Sequence, residues 1–237
     1  MSSTVSTLAE RFPALTAVAA SERTLPVHES LIELLPTLQR GSTVACGGRA
    51  AVSLAVALAV APSRAGAWVG VAGLPELGIR AAADMGMALE RLVMVTGDPP
   101  WVEVLAAMID GFDVIVVGAR IGRLASGAVR RLQARAQSRG VVMLTIGVPA
   151  LGADLRVTAD DDQWFGLGNG HGVATGRRVL VEVGGRRMPR ARQAAMWLPD
   201  TGGGVTRTQV SGHEPGQQSG VDVIRSDNSS LLAKWAN

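Results

Sequence analysis

The chain has 237 residues, of which 47% are apolar, and a formal net charge of +3. So much apolar material excludes a disordered chain and fits one α/β domain with short appendages. The single cysteine, Cys46, excludes an intramolecular disulfide and a cysteine-based metal site, and no apolar run reaches the roughly 18 residues that a membrane span needs.

The first predicted unit is an N-terminal helical arm over residues 1–36. Apolar residues at helical spacing predict an amphipathic helix over 5–23. The stretch LPVHESLIELLP, residues 25–36, predicts a short helix between two prolines. Because the N-terminus lacks the basic segment of a signal peptide, we expect a cytoplasmic protein.

Residues 37–198 form the predicted core domain, in which apolar strands alternate with helices. Strands are predicted at 43–46, 67–73, 91–97, 112–119 and 141–147, and helices at 50–60, 77–87, 100–110 and 127–140. This order predicts an α/β fold with a mostly parallel sheet flanked by helices on both faces. After about residue 150, apolar stretches separated by glycine turns predict antiparallel strands at one edge of the sheet.

Residues 199–237 are predicted to form a flexible, disordered tail, because they are rich in Gly, Ser, Gln and Asp. The tail ends in SSLLAKWAN, which places Leu231, Leu232 and Trp235 together. Leu231 and Trp235 share one face of a helical turn, so we expect these residues to anchor a partner. Weak packing on the chain's own core is the alternative.

The strand at 43–46 leads into CGGRAAVSL, a glycine turn followed by an apolar helix. A working phosphate loop in this position has the form G-x-x-x-x-G-K-[ST]. Gly47, Gly48 and Arg49 keep the turn and one cation, but the loop is short and lacks both the lysine and the hydroxyl that holds Mg²⁺. In addition, Gly118 ends the buried strand FDVIVVGA, where such a site needs an acid. These four residues therefore predict a vestigial nucleotide loop without a cofactor, and residual weak nucleotide binding stays open.

The ordered set of motifs resembles the RecA-fold family. LQRGSTVACGG is similar to the strand and turn before the RecA nucleotide loop, and FDVIVVGA to the RecA strand that ends in an acid. SRGVVMLTIG and the hairpin WFGLGNGHGVATGRRVLVEVGGRR continue the likeness to about residue 198. Leu74 falls where the family has its catalytic Glu, with Pro75 and Glu76 beside it. Within this family the chain resembles the degenerate RecA-like component, of the ImuA-prime type, of the actinobacterial damage-induced mutasome.

This resemblance implies a non-catalytic adaptor in the SOS response to DNA damage, acting in translesion synthesis and mutagenesis. Its implied partners are a Y-family-like polymerase subunit and an error-prone replicative-type polymerase, with DNA as a further candidate. Neither a membrane nor a small-molecule substrate is implied, and the complex would be nucleoid-associated. The alternatives are a DNA-stimulated ATPase with a degenerate loop and a RecA-like cell-division inhibitor.

No metal site is predicted, since His28, His171 and His213 have no metal-ligand spacing. The three acids of ADDDQW, residues 159–164, predict a solvated turn.

Arginine is the most informative polar residue, because residues 121–197 carry twelve arginines against five acids. One group is predicted on the helix at 127–140 and another flanks the strand VLVEV. These are Arg130, Arg131, Arg135 and Arg139, and Arg177, Arg178, Arg186 and Arg187. Guanidinium groups on one surface suit DNA phosphates or an acidic partner. A merely solvated charged face is the alternative.

Overall fold

The computed structural model describes residues 23–168, 171–185 and 190–208, except for the side chains of residues 161, 162 and 168. The helices are α1 (Ala51–Arg64), α2 (Ile79–Asp84), α3 (Trp101–Gly111) and α4 (Ser126–Arg139). The strands are β1 (Thr24–Leu25), β2 (Leu38–Gln39), β3 (Thr43–Gly47), β4 (Val69–Ala72), β5 (Leu92–Val95), β6 (Val114–Val117), β7 (Val142–Ile146), β8 (Leu155–Gly168), β9 (His171–Gly185), β10 (Arg192–Trp197) and β11 (Thr206–Arg207).

Nine of these strands form one sheet in the order β11-β10-β9-β8-β3-β7-β6-β4-β5. Six neighbouring strands run parallel to one another, namely β8, β3, β7, β6, β4 and β5. Strands β8, β9, β10 and β11 pair antiparallel in succession. The predicted α/β fold is thereby confirmed, with its parallel centre and antiparallel edge. Strands β1 and β2 pair separately as a small antiparallel sheet.

The sheet is covered on its two faces by different helices. Helix α1 has no polar stripe, so it is buried on almost every side and packs with Val44 and Val157 on one face. Helices α3 and α4 pack on the other face, where Leu105 and Leu132 join Met143 in a second core. Gly140 ends α4 in the left-handed conformation at φ 70°, as the sequence predicts.

The prediction of a helix over 25–36 is wrong. This segment holds the end of β1 and a single 3-10 turn, Glu29–Leu31, and its leucines and Val27 belong to the core under α1, whereas Ile32 is exposed. His28 opens the turn, where its Nδ1 accepts the Ser30 N–H at 3.3 Å. Burial of Leu31 and Leu35 in the core decides the conformation instead. The segment therefore packs as part of the core, while the helix predicted over 5–23 lies outside the described residues, apart from Arg23.

The predicted tail begins too early. Residues 199–208 form a turn and strand β11, which pairs with the end of β10, and Val205 is buried in the core. Asp200 holds this turn by accepting the Gly202 N–H at 2.8 Å and the Gly204 N–H at 2.9 Å. The composition of the tail does not reveal these contacts, because a single carboxylate and a single valine make them. Residues 209–237 lie outside the described residues.

Within the described ranges, no helix is long and apolar enough to cross a membrane.

Candidate functional site

The glycine loop lies at the carboxyl ends of the parallel strands, where α/β proteins bind ligands. Gly47 ends β3, Gly48 turns the chain at φ 85°, and α1 begins at Ala51. Ala50, which precedes the helix, offers no side chain to cap its free N–H groups. Such N–H groups at a helix N-terminus attract anions, which is how a phosphate loop works.

Strand β8 supplies acceptors for two N–H groups of the loop that leads into this helix. The Arg49 N–H donates to the Asp160 Oδ1 at 3.1 Å, and the Ala50 N–H donates to the Ala159 carbonyl at 3.1 Å. A Cβ on Gly48 would overlap with the Ala159 carbonyl oxygen and lie 2.7 Å from the Asp160 Oδ1. A carboxylate of the chain itself therefore accepts an N–H group of the loop that a phosphate would use.

This contact corrects the interpretation of ADDDQW, residues 159–164, as a solvated turn. The segment belongs to the long strand β8, which pairs with β3 on one side and β9 on the other. Its first acid, Asp160, is bound to the glycine loop. Sequence reasoning missed this role, because the register of β8 against β3 decides which acid reaches the loop.

The second missing element is the acid expected at Gly118, and the neighbouring backbone leaves no space for its side chain. A Cβ on Gly118 would overlap with the Gly73 carbonyl oxygen and lie 2.9 Å from the Leu74 Cβ. Leu74 is itself 1% exposed, so this crossing of the loops after β4 and β6 is tightly packed. An aspartate at position 118 could not be accommodated unless one loop moved. Glu76, the acid nearest the family's catalytic position, is exposed to solvent.

A cavity of 130 Å³ remains beside this crossing, lined by Leu74, Thr96, Trp101 and Arg120 among others. Small-molecule sites usually measure about 300–1,000 Å³. This cavity is therefore too small for a nucleotide.

Chemistry that depends on thiols or metals finds no support in the described part of the chain. Burial raises the pKa of the Cys46 thiol to about 12, so the thiol stays protonated and unreactive. No group of three or more His, Cys, Asp and Glu side chains converges there. His171 is exposed on β9 near the hairpin end, and His213 lies outside the described residues.

The four arginines of α4 divide into two pairs. Arg135 donates its Nε–H to the Asp110 Oδ1 of α3 at 2.9 Å, and the Arg139 Nε lies 3.3 Å from the same oxygen. The hydrogen bond from Arg135 lowers the pKa of the Asp110 carboxyl. Arg130 and Arg131 are exposed one to two turns nearer the helix N-terminus. The two earlier arginines are thus available to a partner, whereas Asp110 partly neutralises the later two.

The arginines of the hairpin also differ from one another. Arg177 is only 8% exposed, and its guanidinium stacks over the Trp164 ring at 5.1 Å. The prediction that Arg177 belongs to a partner-binding surface is therefore wrong, because its side chain points toward the core side of β9. Arg178 is exposed on the opposite side of the strand. Arg186 and Arg187 lie outside the described residues, as do the tail anchors Leu231, Leu232 and Trp235.

Comparisons with known proteins place this geometry in context. Residues 33–151, half of the chain, match the family model described as the MT3502 N-terminal domain. The uncharacterized protein Rv3395c of Mycobacterium tuberculosis is 33% identical over 109 residues. That match covers 45% of this chain and 53% of the relative, so the chain spans about half the length of the curated protein it matches.

Among solved structures, the RadB recombinase superimposes with a TM-score of 0.54 at 16% sequence identity. The superposition covers 76% of this chain and 97% of the RadB chain. At this identity the likeness concerns the fold, which is therefore RecA-like.

Proposed function

Because the chain belongs to the MT3502 N-terminal domain family and has a RecA-like fold, we propose that it is a non-catalytic adaptor in translesion synthesis after DNA damage. In this role it binds a Y-family-like polymerase subunit and holds it beside an error-prone replicative-type polymerase. The complex is nucleoid-associated, and DNA is a second candidate ligand of the adaptor.

The observation that carries this proposal is the occupied glycine loop. Asp160 accepts the Arg49 N–H at the N-terminus of α1, which places a negative charge where a nucleotide would bring its own. Like charges at that distance repel, and the Ala159 carbonyl leaves no room on the other side of Gly48. A RecA-like domain with this loop retains its surfaces for partners while its nucleotide chemistry is unsupported.

The exposed pair Arg130 and Arg131 is the best-supported surface for a charged partner. Both lie on the solvent side of α4, whereas Leu132 and Ala136 turn into the core. Arg135 and Arg139, already bound to Asp110, provide a matched control on the same helix.

Co-purification of the tagged full chain from DNA-damaged cells tests the adaptor role. We expect both polymerase subunits, with recovery reduced by Arg130→Glu combined with Arg131→Glu but much less by Arg135→Gln with Arg139→Gln. Recovery of the cell-division machinery without a polymerase would contradict the proposal.

Salt dependence separates the two kinds of charged ligand. If the pair contacts DNA, replacing both arginines should flatten the log–log salt slope by about 1.8 on duplex or about 1.4 on single strands. If the ligand is an acidic protein, the DNA slope stays unchanged while polymerase recovery falls. Steady ATP hydrolysis by the purified chain would instead favour a DNA-stimulated ATPase.

A further inference from the structure

The antiparallel strands β8–β10 present two different faces. Val179 and Val181 of β9 and Met196 of β10 belong to the core under α1. Because side chains alternate along a strand, the residues between them point to the opposite face of the sheet. We call this opposite surface the aromatic face, and its members include Asp160, Gln163, Phe165, Arg178, Leu180, Ala195 and Trp197.

Two rings on the aromatic face hold each other in place. The Phe165 and Trp197 ring centroids are 4.8 Å apart and their planes are inclined by 55°. The indole also lies against Gly176, since a Cβ there would be 3.2 Å from the Trp197 Cζ3. A glycine in this position lets the ring rest on the backbone of β9. Both rings are partly exposed, and neither belongs to the two hydrophobic cores of the described chain.

A cation stands next to the rings. Arg178 is exposed and pairs across the strands with Gln163 on one side and Trp197 on the other. The Glu182 side chain points to the same face, but it is about 13 Å further along the strand.

Two carboxylates near the rings accept backbone N–H groups. Asp160, which pairs with Leu180, accepts the Arg49 N–H at 3.1 Å. Asp200 accepts the Gly202 N–H at 2.8 Å. Their oxygens thus point to backbone donors, and Arg178 is the cation that pairs directly with Trp197.

We propose that the aromatic face binds single-stranded nucleic acid, with unpaired bases stacking on Trp197 and Phe165 and a phosphate bound by Arg178. Aromatic rings next to arginine on an open sheet suit unpaired bases, because each base offers a flat π-face and each nucleotide an anion. An acidic peptide would use the guanidinium but would gain little from the inclined pair of rings. The inference goes beyond the adaptor role, and it needs no polymerase partner.

Fluorescence anisotropy of the purified full chain with a labelled oligothymidine of about 15 nucleotides tests this proposal. Trp197→Ala should weaken binding by about 5- to 150-fold, the effect expected for the loss of one stacked base. Trp68→Ala is the matched control, since Trp68 is 40% exposed and stacks with Arg91 near the opposite edge of the sheet. This control should bind like the unmodified chain.

An abasic oligonucleotide of the same length separates bases from phosphates. Trp197→Ala should leave its affinity unchanged, whereas Arg178→Ala should weaken both ligands and flatten the salt slope by about 0.7. Trp197→Phe should retain much of the affinity, which guards against a variant that merely unfolds.

Two results would overturn the proposal. One is the absence of saturable oligothymidine binding at low salt, which would leave the aromatic face to a protein partner. The other is a loss of affinity that does not depend on stacking. It would be seen if Trp197→Ala and Trp68→Ala weakened binding equally, or if Trp197→Ala weakened binding of the abasic oligonucleotide as much as that of oligothymidine. Polymerase co-purification is measured separately, so failure here and failure of the adaptor role are distinguishable.

Discussion

Replacing Asp160 by alanine should lower the stability of the fold without creating a nucleotide site. The variant removes the carboxylate that accepts the Arg49 N–H at 3.1 Å beside the N-terminus of α1. Loss of a side-chain acceptor at a helix N-terminus costs about 0.5–2 kcal/mol, and this contact is exposed to solvent, so we expect about 1 kcal/mol. For a chain of this size that corresponds to a fall in Tm of about 2–4 °C.

Two further variants separate the hydrogen bond from the charge. Asp160→Asn retains an acceptor and loses only the attraction between the carboxylate and the helix dipole, about 0.3–1 kcal/mol at low salt. Its effect should disappear in 1 M salt, where the Debye length is about 3 Å, whereas that of Asp160→Ala should persist. Glu76→Ala, which removes an exposed acid from the loop after β4, is the control and should leave the Tm unchanged.

Thermal unfolding followed by circular dichroism, with and without ATP and Mg²⁺, measures both parts of this prediction. A ligand at 100 times its Kd stabilises the folded state by about 2.7 kcal/mol, which would raise the Tm by several degrees. We expect no such rise for the unmodified chain or for Asp160→Ala, because the Ala159 carbonyl still bonds to the Ala50 N–H. An ATP-dependent rise in either protein, or an Asp160→Ala variant as stable as the unmodified chain, would refute this reasoning.

Three other predictions concern positions that the same measurements can reach. Gly118→Asp should not restore ATP binding and should lower stability by about 1–3 kcal/mol through overpacking, so calorimetry that detects ATP heat with this variant would contradict the closed crossing. The Asp200 carboxyl has a lowered pKa because the Thr206 hydroxyl and backbone N–H groups donate to it; its stabilisation is therefore present above the unfolded pKa and is lost as the pH falls through the folded pKa. The Tm difference between the unmodified chain and Asp200→Asn should consequently shrink as the pH is lowered below about 4, and a constant difference would argue against this role. Truncation after Pro199 should lower the Tm by several degrees, because it removes β11 and buried apolar surface, whereas truncation after Thr208 should spare them; equal Tm values for the two would return the fold boundary to 199.

The parallel centre of the sheet was predictable because burial on both faces leaves a simple mark in the sequence. FDVIVVGA contains β6, whose four residues are all buried between the two helical layers. A strand with no polar face has no place at the surface, so its position in the fold follows from its composition. The same reasoning holds for VVMLTIG and β7.

The polar contacts were not predictable, because they join residues that are far apart in sequence. Asp110 pairs with Arg135 across 25 residues and Asp160 with Arg49 across 111. Composition shows these acids and arginines as separate charged stretches, and only the packing of α3 on α4 and of β8 on β3 brings them together. The burial of Arg177 was not predictable for a related reason. Side chains alternate between the two faces of β9, and only the fold shows that Arg177 lies on the core side.

The carboxylate of Asp160 explains how the glycine loop is held although it lacks the residues of a phosphate loop. The first N–H groups of a helix need acceptors, and in a nucleotide-binding protein the phosphates provide them. Here the lysine and the hydroxyl residue are missing, yet the glycine turn between β3 and α1 is retained. Asp160 and the Ala159 carbonyl accept the N–H groups of Arg49 and Ala50, the two residues before α1, so the loop keeps its shape without a ligand. A single substitution at Arg49 or Gly118 would therefore leave the loop N–H groups bound to β8. Recovery of nucleotide binding would also require β8 to release these N–H groups.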